Sequence, residues 1–233
     1  MVRLFAVLPL LACGHSAAVP DGATGSELPP TITISGTTTV HGTTQHGQGN
    51  ITVTAKRVTD DSLVASSPTS NGAFSLTIAT SPGFGDLYLV TTASTYVDAY
   101  YNFVSPLSGD AAGITIDLFT PATFDALFTT TGTTKTTGAS VIEAHALSWD
   151  GFDVAGTTFT TIPQAGTVVY DDANGHVSKQ ASSTASDGLG YVLNAAAAAV
   201  EMDSPGGSSS SGRVRVFAGA VSEVTVLPPL GGD

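Results

Sequence analysis

Apolar side chains recur at every second residue through much of this chain, and that period commits it to sheets. In AFSLTIA (73–79), Phe74, Leu76 and Ile78 fall on one side and Ser75 and Thr77 on the other. Successive side chains of a strand point to opposite faces, so this spacing gives one buried face and one wet face. TITISGTTTV (31–40), NITVTAKRV (50–58), DLYLVTTA (86–93) and GITIDLF (113–119) follow the same rule. Short segments of this kind pack as an antiparallel sandwich. Threonine on the wet positions keeps β propensity without adding charge.

The order of signals then restarts. The first round holds Ser35-Gly36, a strand at Ile51, and Ser70-Asn71-Gly72 before an apolar-aromatic strand. The second holds Thr137-Gly138, a strand near Val141, and Ser186-Asp187-Gly188 before LGYVLN (189–194). Asn-Gly and Asp-Gly supply the positive φ that tight hairpins need. RVRVFAG (213–219) and AVSEVTVLP (220–228) close the second round. A repeat of about 100 residues has the size of a domain, not of a solenoid unit. The expected organisation is all-β, with β-sandwich domains over 31–119 and 137–229, a linker at 120–136 and a tail at 230–233.

The motifs Ser-Asn-Gly-Ala-Phe (70–74) and Ser-Asp-Gly-Leu-Gly-Tyr (186–191), each between a Gly-led strand and a further strand, carry a family resemblance. Both units resemble the carboxypeptidase regulatory-like, or transthyretin-like, β-sandwich. The resemblance implies two tandem antiparallel Greek-key sandwiches of about seven strands each, accessory modules without an active site of their own. The second unit departs from the pattern through YDDANGHVSK (170–179) and the alanine run 195–199. That run reads as a tight loop leading into a strand at Val200-Glu201-Met202, because five alanines are too few for a stable helix.

Residues 1–12 read MVRLFAVLPLLA, with Arg3 ahead of a short apolar stretch. That is the order of a secretory signal, too short to span a bilayer. Cys13, the single cysteine, follows directly, and Leu10-Leu11-Ala12-Cys13 resembles a bacterial lipobox. The resemblance implies a lipoprotein signal peptide, lipidation at Cys13, and a cell-envelope protein held by a lipid anchor, with delivery to the outer membrane in a Gram-negative cell. The alternative is ordinary cleavage after Ser16-Ala17-Ala18, which releases a secreted protein. Residues 13–30, rich in Pro, Gly, Ser and Ala, form a flexible tether.

Charge narrows the partners. There are 19 Asp and Glu against 7 Lys and Arg, a formal net charge of −12. Nucleic-acid binding needs a basic footprint, which this balance excludes. One cysteine excludes an internal disulfide framework. No apolar run reaches about 18 residues, which excludes a helical polytopic membrane protein.

Candidate chemistry is sparse. His41 and His46 share a glycine-rich loop, but a metal site needs three or four ligands, and no carboxylate lies close by in sequence. Asp171-Asp172-Ala173-Asn174-Gly175 resembles the start of a calcium loop, yet the spacing fails and a hairpin tip fits better. His145 lies near Glu143 and Asp150; at strand spacing His145 and Glu143 share a face, which suits a solvated pair as well as a catalytic base. Segment 120–138 offers Thr120 as N-cap and Pro121 at the first helical position, giving either a short helix carrying Phe124, Leu127 and Phe128 or a linker with an apolar patch.

Aromatic residues are the candidates for binding. Tyr96, Tyr100 and Tyr101 crowd one segment and Trp149 sits in a turn with Phe152. Exposed, they would stack on a sugar; buried, they would fill the core. The expected function is a non-catalytic, lipid-anchored binding or scaffolding module for an envelope protein or glycan, with no catalytic residue, metal or cofactor. The alternatives are a carbohydrate-binding accessory to a separate enzyme and a secreted hydrolase built around His145.

Overall fold

The computed structural model describes residues 29–80, 85–196, 199–203 and 213–228. Cys13 and the signal segment lie outside them, as do most of the tether and the Ser-rich stretch 204–212. The chain runs β1 (Thr31–Val40), β2 (Thr52–Arg57), β3 (Leu63–Pro68), β4 (Ala73–Ala79), β5 (Leu87–Thr92), β6 (Ala99–Asn102), β7 (Ala111–Leu118) and α1 (Pro121–Thr131). It continues through β8 (Ser140–Ala146), β9 (Thr160–Ile162), β10 (Thr167–Asp171), β11 (Val177–Ser178), β12 (Leu189–Ala195), β13 (Ala199–Asp203), β14 (Arg213–Arg215) and β15 (Val221–Val226).

Local chemistry explains the elements that matter most. Asn71 and Gly72 both take positive φ, 50° and 77°. Ser70 and Ala73 exchange both backbone hydrogen bonds at 2.9 Å, the pattern of a type I′ turn, which launches β4 in register with β1. At the start of α1 the Thr120 hydroxyl accepts from the Thr123 N–H, Pro121 opens the first turn, and Gly132 at φ 63° ends the helix. The helix is eleven residues long and buries Phe124, Leu127, Phe128 and Thr131, so segment 120–138 is more than a linker.

The fold is an all-β sandwich built on one broad sheet of nine strands, in the order β11-β10-β12-β8-β15-β6-β5-β2-β3. A three-stranded sheet, β4-β1-β7, covers one face of its first half. The core between them holds Ile32, Ile34, Val53, Phe74, Leu76, Leu89 and Ile116. A second three-stranded sheet, β14-β13-β9, packs on the opposite face, over Ile142, Ala144, Val192 and Val224. The helix closes the remaining area, with Phe124, Leu127 and Phe128 against Val141, Tyr191, Leu193 and Val221.

The two-unit division at 31–119 and 137–229 is not confirmed. One strand, β15, pairs with β6 from the first half and with β8 from the second, so a single hydrogen-bonded sheet runs through both. Both pairings are parallel, as is β1 with β7, whereas the sequence pattern pointed to antiparallel pairing throughout. The wet face expected for 86–93 is also absent: β5 is buried from Leu87 to Thr91. Leu87 and Leu89 enter the first core, while Tyr88 lies beneath Phe217, ring centroids 5.9 Å apart.

Arg215 joins the two halves from that second face. Its Nη1 donates to the Val58 carbonyl at 2.8 Å, its Nη2 pairs with Asp61, and its guanidinium lies 5.7 Å from the rings of both Tyr88 and Phe217. Its own backbone N–H donates to Asn102 Oδ1 at 2.9 Å.

Candidate functional site

On the face shared by the β4-β1-β7 sheet and α1, a gap remains between the two coverings. The cross-strand register places Tyr191, Glu143, Glu223 and Tyr101 side by side on β12, β8, β15 and β6. His145, one step along β8, lies opposite Leu189 and Thr225. Above this row runs the end of β7, carrying Asp117, and the residue after β1, His41. The result is a cleft of about 350 Å³ whose walls include Asp117, Glu143, Glu223, His145, Asp153 and Asp187.

His41 Nδ1 meets two of these wall residues, 3.3 Å from Asp117 Oδ2 and 3.2 Å from Glu143 Oε1. The imidazole stacks on Phe119 at 3.9 Å between centroids, and its Nε2 faces the Tyr191 hydroxyl at 3.5 Å. That hydroxyl also reaches Asp171 Oδ2 at 3.5 Å. Glu223 accepts the Asp117 backbone N–H with both carboxylate oxygens, at 3.0 and 3.1 Å. Glu143 is 4% exposed, and neither of its oxygens has an aligned hydrogen-bond partner. Nearer the mouth, His145 Nε2 meets Asp153 Oδ1 at 2.8 Å.

So many carboxylates in a half-dry gap displace each other's titration. Burial alone would lower the His41 pKa, but the Glu143 and Asp117 carboxylates outweigh it and raise the value to about 10. Burial raises Glu143, opposed by the His41 charge. Burial, with Glu143 and Asp117 close by, holds Glu223 well above the usual carboxylate range. Burial and the neighbouring Asp187 push Asp171 up to about 7.

The aromatic candidates separate. Tyr96 is half-buried against the first core and its hydroxyl accepts the Gln48 N–H at 3.2 Å. Tyr100 stacks under Phe217 at 3.9 Å on the far face of the sheet, away from the cleft. Tyr101 is half-buried, lines the cleft and meets Phe103 edge-on at 5.3 Å. Trp149 and Phe152 are open to solvent, at 59% and 61% exposure. They occupy a tight turn after β8, in which the Ser148 N–H donates to the Phe152 carbonyl at 2.8 Å and the Phe152 N–H to Ser148 Oγ at 3.0 Å. Leu147 and Gly151 of that turn line the cleft, so the turn forms its lip.

His46 is exposed and is not part of the cleft-floor cluster. Asn174-Gly175 forms the tip between β10 and β11, where the Gly175 N–H donates to the Asp172 carbonyl at 2.9 Å. Asp172 caps that turn while Asp171 is buried, so the two carboxylates do not converge. Asp150 is exposed on the Trp149 turn, and the carboxylate partner of His145 is Asp153 instead. Sequence reasoning missed Asp117 and Glu223 as site residues. The signal available for Glu223 was a single acid inside the apolar strand AVSEVTVLP.

No protein-family model matches this chain, and no curated protein matches it. Among solved structures it is similar to the Bacillus anthracis TIE protein, at 9% identity and a TM-score of 0.29, covering 86% of this chain and 34% of that one. The chain thus spans about a third of that protein's length. It is similar to the shaft pilin SpaA from Lactobacillus rhamnosus GG, at 10% identity and a TM-score of 0.26, covering 87% and 99%. It is also similar to GBS52, the minor pilin of Streptococcus agalactiae, at 10% identity and a TM-score of 0.25, covering 87% and 98%. Likeness this distant carries no argument about function. No helix among the described residues is long and apolar enough to cross a membrane.

Proposed function

We propose that this protein is a non-catalytic binding module of the bacterial cell envelope, held by a lipid on Cys13, that takes a glycan or protein ligand at the acidic cleft. The observation that carries the reading is the pair of exposed rings, Trp149 and Phe152, on a hydrogen-bonded turn at the lip of a carboxylate-lined cleft. An indole face stacks on a sugar ring or an apolar side chain, and carboxylates accept hydrogen bonds from hydroxyl or ammonium groups. Strong negative charge disfavours anionic ligands.

Trp149 is the single tryptophan of the chain, so its fluorescence reports on this lip alone. Titration with soluble polysaccharides and with proteins extracted from the cell envelope should give a saturable emission change. Trp149→Ala, at an exposed position, should keep the melting temperature and weaken binding about tenfold or more, the loss of one stacking contact. Ligand binding that survives Trp149→Ala unchanged would overturn the assignment of the lip. For the anchor, the N-terminal peptide from membrane-fractionated cells should begin at an acylated Cys13; a peptide beginning near Val19 would make the protein a secreted one.

A second reading has one specific observation behind it. The cleft collects His145 and Asp153 with Glu143, Glu223 and Asp187, the side chains an acid-base hydrolase needs. Turnover of chromogenic esters or glycosides, abolished by His145→Ala, would establish it in place of the first.

A further inference from the structure

We propose that His41, Asp117 and Glu143 bind one divalent transition-metal cation, of the zinc or manganese class, at the floor of the cleft. This goes beyond ligand capture at the lip and rests on different residues. Each of the three residues brings one donor atom, an imidazole nitrogen or a carboxylate oxygen, within 4.8 Å of the other two. The two edges that meet at the imidazole measure 3.3 and 3.2 Å. A cation with bonds of about 2.0–2.2 Å to nitrogen and oxygen sets neighbouring ligands about 3.0–3.5 Å apart, whether the shell is octahedral or tetrahedral. The two edges at the imidazole already have that spacing.

An independent observation points to an occupant. Glu143 is buried; its Oε1 has His41 Nδ1 3.2 Å away but out of line for a hydrogen bond, and its Oε2 has no hydrogen-bond partner. A buried carboxylate in that condition is costly unless a charge or donor completes it. The register also sets Glu143 directly beside Glu223 on the neighbouring strand, a juxtaposition of like charges that a dication relieves.

The surroundings suit a metal as well. Both oxygens of Glu223 grip the Asp117 backbone N–H and fix the end of β7. Phe119 holds the imidazole plane from one side, and the Tyr191 hydroxyl faces the nitrogen that does not ligate. Asp117 and Glu143 line the cleft, and Asp117 is the more exposed of the two at 20%, so a cation would enter from that side. One imidazole with two carboxylates is a mixed set suited to zinc, manganese or iron; calcium calls for six to eight oxygens.

The test uses the full-length chain stripped with EDTA. Calorimetric titration with Zn²⁺ and with Mn²⁺ should show one ion per chain, and the ion should raise the melting temperature. Asp117→Asn and Glu143→Gln, both close in shape to the native residues, should each weaken affinity about 10- to 100-fold, while the exposed His46→Ala and His176→Ala should leave it unchanged. Circular dichroism in EDTA checks that the variants fold. Should they not, pulsed electron paramagnetic resonance of the wild type loaded with one Cu²⁺ still decides, because a single coordinated imidazole has its own nitrogen modulation. Absence of stoichiometric binding, affinity unchanged in both carboxylate variants, or a copper spectrum without imidazole nitrogen would each overturn the proposal.

Discussion

Asp171→Asn should flatten part of the pH dependence of stability. Asp171 is buried beside Tyr191 and Asp187, and its pKa rises from 3.8 to about 7 on folding. Between those values the folded chain keeps a proton that the unfolded chain has released. Stability therefore falls as pH rises through this window and levels off above about 7. At about 1.4 kcal/mol per pKa unit, a rise of about 3 units corresponds to about 4 kcal/mol lost between pH 4 and pH 8. Asparagine cannot ionise and keeps the shape, so the variant should match the wild type near pH 4 and exceed it by several kcal/mol at pH 8. Urea unfolding in EDTA at half-unit pH steps measures both slopes. The His41 contribution falls in a separate window: its raised pKa adds stability that is full below about 6.5 and disappears as pH climbs through about 10. Identical slopes for variant and wild type between pH 4 and 7 would refute the account of Asp171.

Three further outcomes follow from packing. Phe128→Ala removes a ring 3% exposed beneath the helix and should cost about 3–5 kcal/mol in chemical denaturation. Arg215→Ala should cost about 2 kcal/mol and speed hydrogen exchange near residues 58–61 and 215–217, because it removes the donor to Val58 and the cation over Tyr88 and Phe217. Gly36→Ala should destabilise by more than about 1 kcal/mol in thermal melts, since the added methyl would sit 2.0 Å from the Ile114 carbonyl oxygen across the β1–β7 pairing.

Much of the first half of the molecule was legible because β1, β2 and β4 keep their most buried residues on one face, whereas β5 is buried on both. The pattern in 73–79 reads straight through to β4, whose apolar positions are buried and whose polar positions are exposed. β3 escaped notice because it is an edge strand with no fully buried residue, so burial imposes no alternation on LVASSP. The site was hidden for a different reason. Glu143 and His145 do share a face of β8, as strand spacing required, and that face looked solvated. It is enclosed because Asp117 and His41 arrive from β7 and the end of β1, 26 and 102 positions earlier in the chain. No local period encodes such a meeting. The sequence left the aromatic rings open between surface and core: Trp149 stands exposed in the structure, and Tyr100 could not be told apart from its neighbour Tyr101 until the sheet acquired a covering on both faces.

The position of β15 bears on how this molecule comes into being. It is the last of the described strands in the chain and the one that closes the sheet at its centre, between β6 and β8. A ribosome or a translocation pore releases residues 221–226 after all the other described strands, so until then β6 and β8 each wait with an unpaired edge. Unpaired edges recruit strands from other chains. Folding of the whole sheet is therefore a late, long-range event, slow by comparison with helical proteins of this size. Chains cut short before residue 221 would retain two sticky borders in one molecule, and these are the species that quality-control machinery would have to remove.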